Sequence, residues 1–270
     1  MRFFEKYKYL AAGAMVATAL LTTSTGFAQT NDMVKLQFSD GRSAVSGVEN
    51  VNAVLRSIGV RASTVPIPES VKQILLASQD RAITAEEQRR LISSFNLDRG
   101  QLLEQIELAG RSPVAPRGGY LSTTELDTPA YPKIYDMRSI TPEVRKQILN
   151  KYGRLHVNTS DNGMGIDEVM TVVAGGPFTW MFVLPDSTLA RLTVDKVGPR
   201  DQALRLSYPG LGMHAGYMDP THGLIVAFAH GPKDFVMRYE EPGIPHANML
   251  GTNAWVDFTG GVPKLREKVK

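Results

Sequence analysis

Five histidines, His156, His214, His222, His230 and His246, are the residues best suited to chemistry, and all fall in the second half of a 270-residue chain. The chain has no cysteine, which excludes disulfides, thiolate zinc sites, iron–sulfur clusters and cysteine nucleophiles. Imidazole and carboxylate remain as the main metal donors, a set suited to iron, manganese, zinc or nickel. Asp167-Glu168 and Glu240-Glu241 supply paired carboxylates. Neighbours on a strand point to opposite faces, so at most one member of each pair can enter a pocket.

Two local patterns single out particular histidines. The first is His156-Val-Asn158, a glycine-bearing loop, then Asp167-Glu168 followed by six residues and Gly175. The second is Glu241-Pro242-Gly243-Ile244-Pro245-His246. Across residues 150–260 these resemble the two motifs of the cupin superfamily: His-x-His with a Glu, six residues and a Gly, then Pro-Gly-x-Pro-His in a turn. The resemblance implies a small β-barrel with a divalent metal held by His156, Glu168 and His246. It also implies metal-dependent chemistry on a small organic molecule, such as oxygenation, isomerisation or lyase action. Asn158 stands where the second histidine of the first motif would fall, and the spacing from Asn158 to Glu168 is long. His214, in Gly-Met-His-Ala-Gly-Tyr, can supply the missing ligand from a neighbouring strand. Tyr217 and His230 are the candidate acid/base or orienting groups.

Other motifs fail on context. Gly210-Leu-Gly212-Met-His-Ala215 has dinucleotide-loop spacing, but a proline precedes it and no helix follows to receive a pyrophosphate. No P-loop, HExxH, G-x-S-x-G or EF-hand pattern occurs. Phe178, Trp180 and Phe182 share one strand face and read as core packing. Met164, Met170, Met181, Met213 and Met218 crowd the same half, suited to filling gaps or lining an apolar pocket.

The elements that must position these residues change character near residue 150. In front are short amphipathic helices. One covers Val48 to Gly59 and another Glu69 to Gln79. A third opens at the Thr84…Glu87 capping box, and a fourth is capped by Asp98. Residues 111–136 are rich in Pro and Gly and predict a long arm. Thr141-Pro142-Glu143 starts a further helix. Behind Tyr152, runs of Val, Phe, Leu and Tyr recur between turn residues. They predict strands over 168–174, 178–184, 189–197, 203–208, 223–229, 235–239 and 254–258. The fold class expected is α+β: N-terminal short helices (29–150) followed by a C-terminal antiparallel β-sandwich or cupin-like barrel (151–270).

Residues 1–28 carry the marks of a cleaved signal peptide. Arg2, Lys6 and Lys8 precede the apolar run Leu10–Leu21, and Gly26 and Ala28 form a small-residue cleavage site. The apolar run is too short to span a bilayer, so no membrane span is expected once the leader is removed. Location in a bacterial periplasm or outside the cell follows. Most of the formal charge of +3 belongs to this segment, and no basic run marks a nucleic-acid partner.

Two functions remain open. One is an exported, metal-dependent cupin-type enzyme acting on a small molecule. The other is a non-catalytic envelope binding or assembly protein, with the arm free to exchange in a homodimer.

Overall fold

A computed structural model describes residues 33–111 and 133–269, apart from residues 200 and 233 and the side chain of Arg99. The leader expected at 1–28 and most of the arm expected at 111–136 lie outside the described residues.

The chain opens with β1 (Val34–Phe38) and β2 (Val45–Ser46), then α1 (Val48–Leu55), β3 (Arg61–Val65), α2 (Glu69–Ala77), α3 (Ala85–Phe95) and α4 (Arg99–Leu108). β4 (Lys133–Asp136) and α5 (Pro142–Tyr152) follow. The strands β5 (Val157–Thr159), β6 (Asp167–Gly175), β7 (Phe178–Val183), β8 (Leu189–Val194) and β9 (Ala203–Tyr208) come next. After them run β10 (His214–Tyr217), β11 (Gly223–His230), β12 (Val236–Arg238), β13 (Val256–Asp257) and β14 (Lys264–Leu265). Two five-stranded antiparallel sheets result, ordered β10-β7-β8-β1-β2 and β3-β9-β6-β11-β4. The architecture is α+β, a jelly-roll sandwich with a helical layer.

Local chemistry accounts for the helix starts. Thr84 accepts from the Glu87 backbone while Glu87 Oε2 accepts from Thr84 N at 2.7 Å, so two orphan donors are satisfied together. Asp98 and Gln101 make the same reciprocal pair at the start of α4. Thr141 caps α5, with Pro142 in its first turn.

Alternation sets the layers. On β6, Met170 and Val172 enter the core between the sheets, joined by Leu36, Phe178, Trp180, Phe182, Leu204 and Ile225. Val173 points the other way, to Val71, Leu75, Leu91 and Phe95 of α2 and α3. The first sheet is covered on its outer face by Leu149 of α5 and Trp255. Because both outer faces are covered, the long strands are buried at almost every position.

The front half differs from the helical region expected at 29–150. β1 pairs with β8, and β3 pairs with β9, so residues on both sides of position 150 share one core. Val34, Leu36 and Phe38 are buried while Lys35 is exposed, a short period-2 pattern easily passed over beside the stronger helical ones.

Candidate functional site

A cavity of about 350 Å³ opens between the two sheets. Its deep walls are Met170 of β6, Trp180 of β7, Tyr208 of β9, and Gly216 and Met218 at the end of β10. Each of these residues is buried. Its outer part is bordered by Lys133, Tyr135, Lys151, Tyr152 and Phe235, which are exposed or half-buried.

His156, His214 and Glu168 meet at the polar end. The two histidines form an antiparallel bridge, and their rings lie 4.5 Å apart. His156 Nδ1 lies 2.7 Å from the Arg154 carbonyl, and His214 Nδ1 lies 2.6 Å from the Gly212 carbonyl. A carbonyl can only accept, so each Nδ1 donates and each Nε2 is left to face the cavity side. Burial, with His214 close by, holds His156 well below the usual imidazole range, so it is neutral near pH 7.

Glu168 sits with its Oε2 3.2 Å from His214 Nε2. The Asn158 amide lies between them: its Nδ2 donates to Glu168 Oε2 at 2.8 Å and lies 3.1 Å from His214 Nε2. Its Oδ1 is buried without a hydrogen-bond partner, as is the Nε1–H of Trp180. Burial and the facing Glu168 carboxylate push the Tyr208 phenol well above its ordinary range, so its hydroxyl stays protonated.

The backbone explains the convergence. On β6, Glu168 points inward while its neighbour Asp167 points outward to Arg111 at 2.9 Å. Gly210 sits where any Cβ would lie 2.2 Å from Ile166 O and 2.5 Å from Asn158 O, so a side chain there would push the crossing strands apart. That close approach lets Asn158 N donate to Gly210 O at 2.8 Å, next to the turn whose Gly212 carbonyl orients His214.

Three expected site residues lie elsewhere. His246 adopts a left-handed backbone (φ 57°) ahead of a short 3-10 turn, and its Nε2 lies 3.0 Å from the Pro185 carbonyl. Its Pro-Gly-x-Pro-His segment leads into that 3-10 turn instead of a strand, and His246 is not among the residues lining the cavity. Tyr217 is an odd step from His214 on β10, so its ring packs on the outer face and its hydroxyl donates to the Pro263 carbonyl at 3.0 Å. His230 lies opposite Asp167 on the outer face of β11, stacked on Phe228 at 6.1 Å.

Tyr208 was missed as a site residue, although the alternation Leu204, Leu206, Tyr208 places it inward with the core. Trp180, expected as core packing, is both core and cavity wall.

With the geometry described, comparison with solved structures finds a similar chain, acireductone dioxygenase from Bacillus anthracis with a cadmium ion in its active centre. The TM-score is 0.51 at 13% identity, covering 77% of this chain and 99% of that one. The fold is a cupin-like jelly roll. At that identity the likeness speaks for the fold alone. No family model matches the sequence, and no curated protein matches it.

The donor types fit a divalent metal: two imidazoles oriented by backbone carbonyls, and one carboxylate. Among the described residues, no three His, Asp or Glu side chains are gathered as a ready-made metal cage, and the Asn158 amide stands between two of the donors.

Proposed function

We propose that this chain is a metal-dependent jelly-roll enzyme acting on a small organic molecule bound in the cavity. The observation that carries the reading is the meeting of His156, His214 and Glu168 at the polar end of an otherwise aromatic and apolar cavity. His156, His214 and Glu168 are the side chains that would hold the metal, drawing together from the positions they occupy here, where they do not yet form a cage. Rotation of the Asn158 amide exchanges Nδ2 for Oδ1 at the same place, which would offer the unpartnered oxygen as a further donor. A bound divalent cation would act as a Lewis acid, polarising an oxygen of the bound molecule. The neutral Tyr208 hydroxyl is the proton-bearing group beside Glu168, placed to donate to a developing negative charge. The buried walls of Met170, Trp180 and Met218 keep water from the reacting end.

The test is metal content after loading with iron(II), manganese, zinc or nickel and exhaustive dialysis. Wild type should retain metal, His156→Ala and His214→Ala should lose it, and His246→Ala should keep it. A wild type that retains none, or variants that retain as much, would overturn the metal reading.

A second reading rests on Asn158. Its amide already satisfies both Glu168 and His214, as expected of a binding pocket that works without metal. That outcome corresponds to a metal-free chain that still binds small molecules.

The leader-like N-terminus supports export to the periplasm or beyond. N-terminal sequencing of the protein from fractionated cells tests this, with a start after Ala28 expected. No described helix is long and apolar enough to cross a membrane.

A further inference from the structure

The outer end of the cavity differs in charge from the inner end. Lys133 begins β4 and Lys151 lies in the last turn of α5; both border the cavity and both are exposed. Their ammonium groups lie over tyrosine rings, Lys133 at 4.7 Å from Tyr135 and Lys151 at 5.8 Å from Tyr152. None of the ion pairs recorded among the described residues includes either lysine. Glu168 is the one carboxylate among the described lining residues, and it sits at the buried end.

The deep walls of the cavity are largely apolar, with Met170, Trp180 and Met218 among them. A molecule that fits must therefore offer negative charge outward and an apolar body inward. The two tyrosine rings at the mouth meet edge to face, centroids 6.4 Å apart, and Trp180 adds a further ring, surfaces that favour a flat partner.

We propose that the cavity binds a small organic anion with a flat apolar body, its carboxylate met by Lys133 and Lys151 at the mouth and its body lying against Met170, Trp180 and Met218. This rests on the reading of the cavity as the functional site and names the class of molecule it takes. His156, Glu168 and Tyr208 line the same cavity, so an anion anchored by the lysines lies within reach of them.

Calorimetric titration of the full chain with cinnamate and with its neutral counterpart cinnamamide tests the inference. Cinnamate should bind more tightly than cinnamamide, and added salt should weaken cinnamate alone. The double variant Lys133→Gln/Lys151→Gln should weaken cinnamate about tenfold and leave cinnamamide unchanged. Retained cinnamamide binding shows that the variant is folded; if the variant does not fold, the anion preference and salt dependence of wild type decide. Failure of cinnamate to bind wild type, equal binding of the two probes, or a folded double variant that binds cinnamate as wild type does would each overturn it. Metal content of the same samples separates the two proposals. Metal without anion preference removes this inference alone, and anion preference without metal removes the metal reading alone.

Discussion

His156 and His214 face each other across an antiparallel bridge. The backbone N–H of each donates to the carbonyl of the other, at 2.9 and 3.0 Å. This directly opposed position places both rings on the same face of the barrel, 4.5 Å apart, and a second carbonyl behind each ring fixes which nitrogen is turned to the cavity. Loss of either imidazole should therefore lower affinity for a divalent cation by at least about tenfold. Competition with a metal-sensitive dye, comparing His156→Ala and His214→Ala with wild type, measures this.

Asn158 bridges Glu168 and His214 through one amide nitrogen. Replacing that amide with an imidazole supplies a third nitrogen donor and removes the competing donor hydrogens. Asn158→His is expected to bind zinc or manganese more tightly than wild type, by about tenfold or more. Asn158→Ala, which frees Glu168 and His214 without adding a ligand, should fall short of it. Equal affinities for the two variants would show that position 158 does not face the metal.

Arg111 and Asp167 form a nearly buried ion pair, and each has a further partner. Arg111 donates to Ser207 Oγ at 2.7 Å, and Asp167 accepts from the Gly210 backbone at 2.9 Å. Removing one charge leaves the other uncompensated in a desolvated place. Arg111→Ala should cost about 3–5 kcal/mol in urea-unfolding stability, with the paired change Arg111→Met/Asp167→Leu costing less than the two single changes together.

His230 makes stability depend on pH. Burial, with the Arg111 charge beside it, pushes this imidazole down to about 4 from its ordinary 6.5. Between those values the unfolded chain binds a proton that the folded chain does not, so stability rises with pH across the window and is lost on acidification. His156 is displaced in the same direction by its own burial. Unfolding free energies measured from neutral pH down to about pH 4 should fall by up to about 3 kcal/mol more in wild type than in His230→Phe. Parallel curves would show that His230 is protonated without cost in the fold.

Gly210 has no room for a side chain. With a Cβ only 2.2 Å from Ile166 O, Gly210→Ala must part the strand crossing that seats Asn158. It should lower stability by about 1–3 kcal/mol, read as a drop in Tm. Metal or probe binding should weaken alongside, whereas Gly261→Ala, which has open space at its Cβ, should behave as wild type.

Much of this site was legible one strand at a time. The alternation of Asp167 and Glu168 already assigns one carboxylate inward and one outward, and the run Leu204, Leu206, Tyr208 points the phenol into the core. Thr84, Asp98 and Thr141 announce their helices because a cap is satisfied within four residues of chain. Those are local facts, set by backbone period and by groups close in sequence.

Which residues meet was decided only by tertiary structure. His156 meets His214 because of cross-strand register, a property of two segments far apart in the chain that neither sequence pattern contains. Alternation along β10 and β11, once those strands are seated in their sheets, turns Tyr217 and His230 to the outer faces, and the motif-like His246 meets the Pro185 carbonyl instead of the cavity. Lys133 and Lys151 come from an edge strand and a helix end that bear no mark of a shared purpose in sequence. Packing alone sets them at the mouth of one cavity.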